Sequence, residues 1–232
     1  MLNIPNIQQA MSVFVAEELS EVLNTKVVIG RINMGLLNRI IIDDVLLDDQ
    51  SGQEMLKVTR LSAKFDIMPF FKGKISISSV QLFGFNINLR KETPDSPPNF
   101  KFVLDAFASK DTVKKENSLD LRINSILIRR GRMSYHVLSE EETPGKFNAK
   151  HIQLQNIIAN ISLKALSKDS LNLGIKRLSL DEKASGFSLK KMSLKLVANN
   201  KQTNIDNFTI ELPETSLKLD TIHLEYDLSL IH

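Results

Sequence analysis

A short pattern of apolar residues recurs along most of this sequence and strongly limits what the chain can fold into. Each copy has the form apolar-x-apolar-x-x-apolar-x-apolar, as in Val27, Ile29, Ile32 and Met34. Further copies begin at Ile40, Leu56, Ile75, Leu121, Ile152, Leu173, Phe187, Thr203 and Leu217. Apolar residues at every second position are typical of a β-strand, whose side chains point alternately to its two faces. The sequence therefore predicts a mainly β protein with one strand for each copy.

The central pair of each copy shifts this alternation by one residue, as at Asp43-Asp44 and Gln155-Asn156. A β-bulge at the pair would keep both apolar halves of a copy on the same face of one strand. The alternative is a two-residue hairpin turn at each pair. Such turns prefer Asn-Gly or Asp-Gly, and none of the central pairs has either sequence. We therefore favour bulges within continuous strands.

The spacing of the copies predicts how the strands connect. Successive copies start about 13 to 19 residues apart in the first third of the sequence and about 14 to 21 apart in the last, which leaves room for a strand and a turn. We expect an antiparallel meander that forms an elongated curved sheet or a β-taco groove. One face of this sheet is apolar and the other is solvated.

Residues 5–23 have the spacing of an amphipathic helix instead. Pro5 suits the first helical position, and Asn24 suits the C-terminal end. The apolar residues predicted to share one side are Ile7, Met11, Phe14, Val15, Leu19, Val22 and Leu23. We expect this helix to cap the first end of the sheet. A membrane-surface helix is the alternative, but its charged residues are all glutamates, which match anionic lipids poorly.

A second interruption divides the strands into two blocks. It begins with prolines at positions 94, 97 and 98 and continues as a short helix over residues 99–109. The predicted organisation is an N-terminal helix (1–24), a first β block (25–92), a linker with a short helix (93–117) and a second β block (118–232). We expect the chain to be a section of a longer repeat protein.

The residue types needed for catalysis are sparse. The chain has no cysteine, which excludes disulfides, thiolate metal sites and cysteine nucleophiles. Its histidines, at positions 136, 151, 223 and 232, have no metal-ligand spacing. No glycine-rich phosphate loop or serine-nucleophile motif is present. We expect a protein that is not an enzyme and that has no cofactor and no metal site.

Charge gives equally little support for a nucleic-acid interface. The net charge is only +3, basic residues are spread along the chain, and there is no tryptophan for base stacking. The densest acidic group is Asp43, Asp44, Asp48 and Asp49, for which an exposed bulge is favoured over a calcium site. The densest basic group is Arg129, Arg130 and Arg132, predicted at a strand end. A solvated turn is favoured there over contact with a lipid headgroup or an anionic partner.

Five stretches, taken in order, resemble the N-terminal region of TamB-like proteins (translocation and assembly module) of the AsmA family. These stretches are residues 4–20, 23–32, 42–49, 73–82 and 99–100. The resemblance covers roughly residues 4–110, and beyond them only the strand pattern continues.

This resemblance implies a periplasmic β-taco groove that carries phospholipid between the inner and outer membranes of a bacterium. It also implies a part in outer-membrane biogenesis, with a Bam-type outer-membrane barrel as partner of the full-length protein. The parent protein would be anchored in the inner membrane by a segment outside this sequence.

Three functions remain open at this stage. The first is a lipid conduit, in which phospholipid acyl chains cover the apolar face; the second is a scaffold or chaperone that pairs with outer-membrane strands through a sheet edge. The third is a closed sandwich whose two sheets bury each other. The conduit is favoured because of the resemblance. Its predicted lining is Ile75, Ile77, Val80, Leu82, Leu121, Ile123, Ile126, Ile128, Ile152, Leu154, Ile157, Leu173, Ile175, Leu178, Leu180, Phe187, Leu189, Met192, Leu194, Ile205, Phe208, Ile210, Leu217, Leu219, Ile222 and Leu224.

Overall fold

A computed structural model describes residues 5–35, 38–65, 75–108, 119–166 and 170–226, and these form ten strands and two helices. In chain order the elements are α1 (Pro5–Leu23), β1 (Val27–Gly35), β2 (Arg39–Asp48), β3 (Glu54–Phe65), β4 (Ile75–Lys91), α2 (Lys101–Ala108), β5 (Leu119–Val137), β6 (His151–Leu166), β7 (Ser170–Glu182), β8 (Ser188–Asn199), β9 (Gln202–Glu211) and β10 (Ser216–Glu225). The mainly β prediction, with an N-terminal helix and a short inserted helix, is confirmed.

The strands form one open sheet whose spatial order is the chain order, from β1 to β10. Every neighbouring pair is antiparallel except β4 and β5, which are parallel. Parallel neighbours need a long crossover connection, and the segment that contains α2 supplies it. The meander prediction is thus confirmed apart from this one pairing. The closed sandwich is wrong for the described ranges, because all of their strands belong to a single sheet.

The central pairs of the repeat lie within strands, so the hairpin-turn alternative is wrong. The ten copies fall in ten different strands, with only Phe187 one residue outside its strand. The strand register shifts by one residue at Asn156, at Lys176-Arg177 and at Asn207, as a bulge requires. Asp44 has a left-handed φ of 56°, but the register across it is continuous against both β1 and β3. The bulge interpretation is therefore confirmed for some copies and wrong at Asp43-Asp44.

The two helices cover the apolar face at the first end of the sheet. Leu23 of α1 is buried with Val27, Ile29 and Ile32 of β1. Partly buried residues from both helices pack against this cluster: Val15, Ala16 and Leu19 of α1, and Phe102, Val103 and Ala106 of α2. Helix α1 therefore packs against the first end of the sheet.

The predicted inner side of α1 is partly wrong. Phe14 and Val22 are 62% and 47% exposed, whereas Ser12 is only 1% exposed. At 3.6 residues per turn, residues 12, 19 and 23 share a face, and residue 14 lies almost opposite to it. Small and aliphatic residues therefore form the face in contact with β1. The side chains of Ile7 and Met11 lie outside the described residues.

A buried carboxylate holds the β2–β3 turn against the segment before α2. Asp49 is 2% exposed. Its Oδ1 accepts hydrogen bonds from the backbone nitrogens of Ser51 (3.0 Å) and Gln53 (3.1 Å), and from the Ser51 hydroxyl at 2.6 Å. Its Oδ2 accepts from Arg90 at 2.6 Å and from Asn99 at 3.1 Å. Burial alone would raise the pKa of Asp49, but hydrogen bonds, led by those of Ser51 and Asn99, hold the pKa below its ordinary value.

A second buried carboxylate, Glu182, organises the β7–β8 turn and is 3% exposed. Its oxygens accept hydrogen bonds from the backbone nitrogens of Gln153 (3.2 Å), Ala184 (3.1 Å) and Ser185 (2.7 Å), and from the Ser185 hydroxyl. Burial would raise the pKa of Glu182, but these donors, chiefly Ser185, outweigh it and lower the pKa to about 2. The ionised form is therefore an integral part of this turn.

The pH dependence of stability should reveal this carboxylate. A lowered pKa means that Glu182 stabilises the fold above its unfolded value of 4.5 and loses this contribution as the pH falls toward about 2. At neutral pH we expect Glu182→Gln to lower the free energy of unfolding by about 2 kcal/mol, since it weakens hydrogen bonds to a charged acceptor. Urea unfolding across this pH range should show the wild-type and variant curves converging under acid. A difference that stays constant with pH would contradict the assignment.

Candidate functional site

A row of apolar residues crosses the whole sheet, with one residue from each strand. Each member lies directly opposite the next in the strand register, and directly opposite residues share a face of the sheet. From β1 to β10 the row is Ile32, Ile42, Leu61, Leu82, Ile128, Ala159, Leu178, Met192, Ile210 and Leu217. The apolar halves of the repeat therefore combine into one surface that extends from edge to edge.

The cover over this surface is uneven. At the β1 end, α1 and α2 bury Ile32 to 6% exposure. At the other end, Leu217, Leu219 and Leu224 of β10 are 48%, 39% and 48% exposed. Within the described ranges, β7 to β10 pack only against neighbouring strands. The apolar face is therefore closed by helices at one end and open at the other.

The predicted lining residues fall into four groups. Ile157 and Leu189 are buried, with 8% and 9% exposure, and Phe187, Leu217, Leu219 and Leu224 are exposed. The side chains of Ile75, Ile77, Leu121 and Ile123 lie outside the described residues. The remaining predicted residues are half-buried. Partial burial of most of these residues is expected on one face of an open sheet. Their assignment to a lipid groove stays a prediction.

Sequence analysis missed an extension of the apolar face in the longest strands. β4 continues with Phe85 and Ile87, which pair with Val58 and Leu56 of β3. The signal was a second shift of the alternation at Phe83-Gly84, where Gly84 has a φ of 64°. Phe85 joins a buried cluster with Val58 and Ile157, which makes this the best-packed part of the apolar face outside the helix-covered end.

The opposite face carries the predicted basic group, but not at a strand end. Arg129, Arg130 and Arg132 lie in the interior of β5. The Arg130 guanidinium stacks on the Phe83 ring at 5.1 Å, a cation–π contact that fixes the side chain. Arg130 and Arg132 border a cleft of about 400 Å³ together with Lys57 of β3. The polar face therefore has a local positive surface in the middle of the sheet.

Two members of the acidic group form ion pairs with arginines. Asp43 pairs with Arg60 at 2.6 Å, and Asp49 pairs with Arg90 at the same distance. Among the described residues, the grouping with metal-binding geometry is elsewhere and consists of His136, Glu142 and His151. His136 and His151 have no metal-ligand spacing in the sequence, but the β5–β6 pairing brings them together.

The sequence matches no described protein family and no curated protein. No helix among the described residues has the length and apolar character that crossing a bilayer requires.

Proposed function

We propose that this chain is a non-catalytic, acyl-chain-binding section of a TamB-like bridge for phospholipid between the inner and outer membranes. The parent protein would be anchored in the inner membrane, with this section in the periplasm and a Bam-type barrel as its outer-membrane partner. The resemblance of residues 4–110 to TamB-like proteins supports this role. The observation that carries it is the apolar row that crosses every strand of an open sheet.

The physical argument concerns what covers this row. Full burial of a large aliphatic side chain is favourable by roughly 1.5–3 kcal/mol relative to leaving it exposed to water. Several such side chains in β10 are exposed. Acyl chains are flexible and apolar, so they can fill a surface that lacks defined pockets. The row requires no covalent step, because a lipid need only exchange contacts from one strand to the next. The solvated face and the charged strand ends can stay in water while lipid occupies the apolar face.

A charge placed on the apolar face should abolish lipid binding. We expect Leu194→Asp in β8 to reduce phospholipid retained by the purified chain at least about tenfold, because an unpaired carboxylate against acyl chains loses its hydration. Leu219→Asp should act similarly, and its partly exposed position in β10 makes a large folding cost unexpected. Retained lipid would be measured by native mass spectrometry after detergent-free purification.

Ser193→Asp is the matched control. Ser193 adjoins Leu194 but lies on the opposite face, flanked by Lys191 and Lys195. The Ser193→Asp substitution introduces the same charge without touching the apolar row, so lipid binding should stay at the wild-type level. Circular dichroism of each variant separates loss of lipid from loss of fold. A lipid-free wild type, or equal loss in both variants, would contradict the conduit.

The second candidate is a scaffold for outer-membrane strands, and the open edge of β10 favours it. Among the described residues β10 pairs only with β9, so its other edge has unpaired backbone groups that can accept a further strand. A scaffold would bind an extended outer-membrane peptide at this edge. If the chain is a scaffold, the Leu194→Asp variant should bind this peptide as well as the wild type does. If the chain is a conduit, the same variant should lose bound lipid.

A further inference from the structure

Two histidines face each other at the end of the β5–β6 hairpin. His136 and His151 are cross-strand partners, and their Nδ1 atoms are 3.0 Å apart. The nearest Glu142 carboxylate oxygen lies 3.8 Å from the His136 Nδ1. His151 is buried at 8% exposure, whereas the Glu142 side chain is 62% exposed. Three metal-ligating side chains thus converge at one point, two of them held by strands.

The orientation of His151 is already that of a metal ligand. Its Nε2 lies 2.9 Å from the Glu140 carbonyl oxygen, which can only accept, so this nitrogen carries the hydrogen. The neutral ring therefore presents the lone pair of Nδ1 toward His136. Metal-binding histidines commonly donate their second nitrogen to a backbone carbonyl in this way, which fixes both tautomer and ring orientation.

The spacing matches a tetrahedral zinc ion. With Zn–N bonds of about 2.0–2.1 Å, two ligand nitrogens at a tetrahedral angle stand about 3.3 Å apart, close to the 3.0 Å between the histidines. The Glu142 carboxylate must move closer, because its oxygen lies 3.8 Å from the His136 Nδ1 and the three ligand atoms lie within 4.8 Å of one another. Its side chain is 62% exposed, which leaves it room to move. His136 would present Nδ1 as a lone pair by carrying its hydrogen on Nε2. Zinc would then replace the hydrogen that joins the rings.

We propose that His136, His151 and Glu142 form a divalent-cation site with a preference for Zn²⁺. Two imidazoles and one carboxylate suit zinc better than the oxygen-seeking Ca²⁺ or Mg²⁺. The adjacent Glu140 and Glu141 add negative charge, although Glu140 is paired with Lys150 at 2.6 Å. The bound ion would tie the 138–150 loop to both strands, with its fourth position open to water. This site is independent of lipid binding.

Zinc titration of the 232-residue chain tests the site directly. Isothermal titration with ZnCl₂ should give one saturable site per chain, and Zn²⁺ should raise the thermal unfolding temperature. His136→Ala should abolish this binding. Glu142→Gln should weaken it about tenfold or more, since even outer-shell changes around a metal cost 10–100-fold in affinity. Glu142 is exposed, so its variant is expected to keep the fold.

His223→Ala is the matched control. His223 lies on exposed β10, with its Nε2 only 3.0 Å from a Glu225 oxygen, so among the described residues it offers one imidazole and one carboxylate without a third ligand. Its loss should leave the titration unchanged. Absence of saturable binding in the wild type, or equal binding in His136→Ala, would overturn the site. Unchanged affinity in Glu142→Gln would overturn its three-ligand composition.

Discussion

Replacing Asp49 by alanine should lower the free energy of unfolding by about 3–5 kcal/mol, the cost of breaking a buried ion pair by removing one partner. The Asp49 carboxylate is the common acceptor for donors from the β2–β3 turn, β4 and the segment before α2. Its removal leaves the Arg90 guanidinium, which is 19% exposed, without its carboxylate. Urea unfolding followed by circular dichroism would measure the loss.

The chain offers a close control for this substitution. Asp43 pairs with Arg60 at the same 2.6 Å, but Arg60 is 57% exposed. Water can solvate Arg60 after the pair is lost, so Asp43→Ala should lower the free energy of unfolding far less than Asp49→Ala does. Similar losses in the two variants would show that the Asp49 contacts stabilise the fold no more than a surface pair does.

The Asp49 contacts also explain why the interruption between the strand blocks is ordered at its start. Asn99 donates to Asp49 and to the backbone oxygen of Asn88, and its Oδ1 accepts from the backbone nitrogen of Arg90. The Asn99 side-chain amide thus contacts both β4 and the β2–β3 turn, immediately before α2 begins. The prolines at 97 and 98 then lead directly into a helix that packs on the β1 end. The crossover required by the parallel pairing therefore also covers part of the apolar face.

Most of the strand architecture follows from local sequence. A period of two residues marks a strand, and a polar pair that shifts the phase can lie within the strand instead of ending it, so the ten strands were predictable from their own residues. The limits of α1 were also predictable from local sequence, because the residues at its two ends suit those positions. Pro5 suits the first turn, and Asn24 tolerates the left-handed conformation in which it is found, with φ of 48°.

Long-range pairing was not predictable in the same way. The parallel β4–β5 contact depends on how a connection of more than twenty residues closes, and no local pattern reports that closure. The pairing of Asp49 with Arg90 and of His136 with His151 depends on strand register across the sheet. The burial of Ser12 instead of Phe14 depends on which face of α1 meets β1. Such features are set by tertiary contacts, so the possible metal site was invisible in the sequence.

A different tertiary contact gives the second large effect, at Gly131 of β5. A Cβ atom at this position would lie 2.3 and 2.4 Å from two ring carbons of Phe85, and 3.1 Å from the Ile157 Cβ. The Phe85 ring lies over the glycine, an arrangement in which an aromatic ring covers the gap left by a missing side chain. We expect Gly131→Ala to lower the free energy of unfolding by about 3 kcal/mol, at the upper end of typical overpacking costs.

Gly174→Ala controls for the loss of a strand glycine. Its added Cβ would meet the Ser162 hydroxyl at 2.6 Å, with the next atoms at 4.0 Å, and a hydroxyl can rotate away. This variant should therefore lose less than about 1 kcal/mol, as expected where packing is not forced. The two glycines occupy neighbouring parts of the same sheet, so a similar loss at both would contradict a specific role for the ring.

A double-mutant cycle with Phe85→Leu isolates the ring contact. Phe85→Leu alone removes buried aromatic area, but it also makes room above residue 131. Adding Gly131→Ala to that variant should therefore cost about 1–3 kcal/mol less than adding it to the wild type, which is the coupling expected of residues in direct contact. Additive losses would mean that the backbone of β5, and not the Phe85 ring, requires glycine. Coupling would show that the apolar face is held by packing that crosses from β4 over β5 to β6.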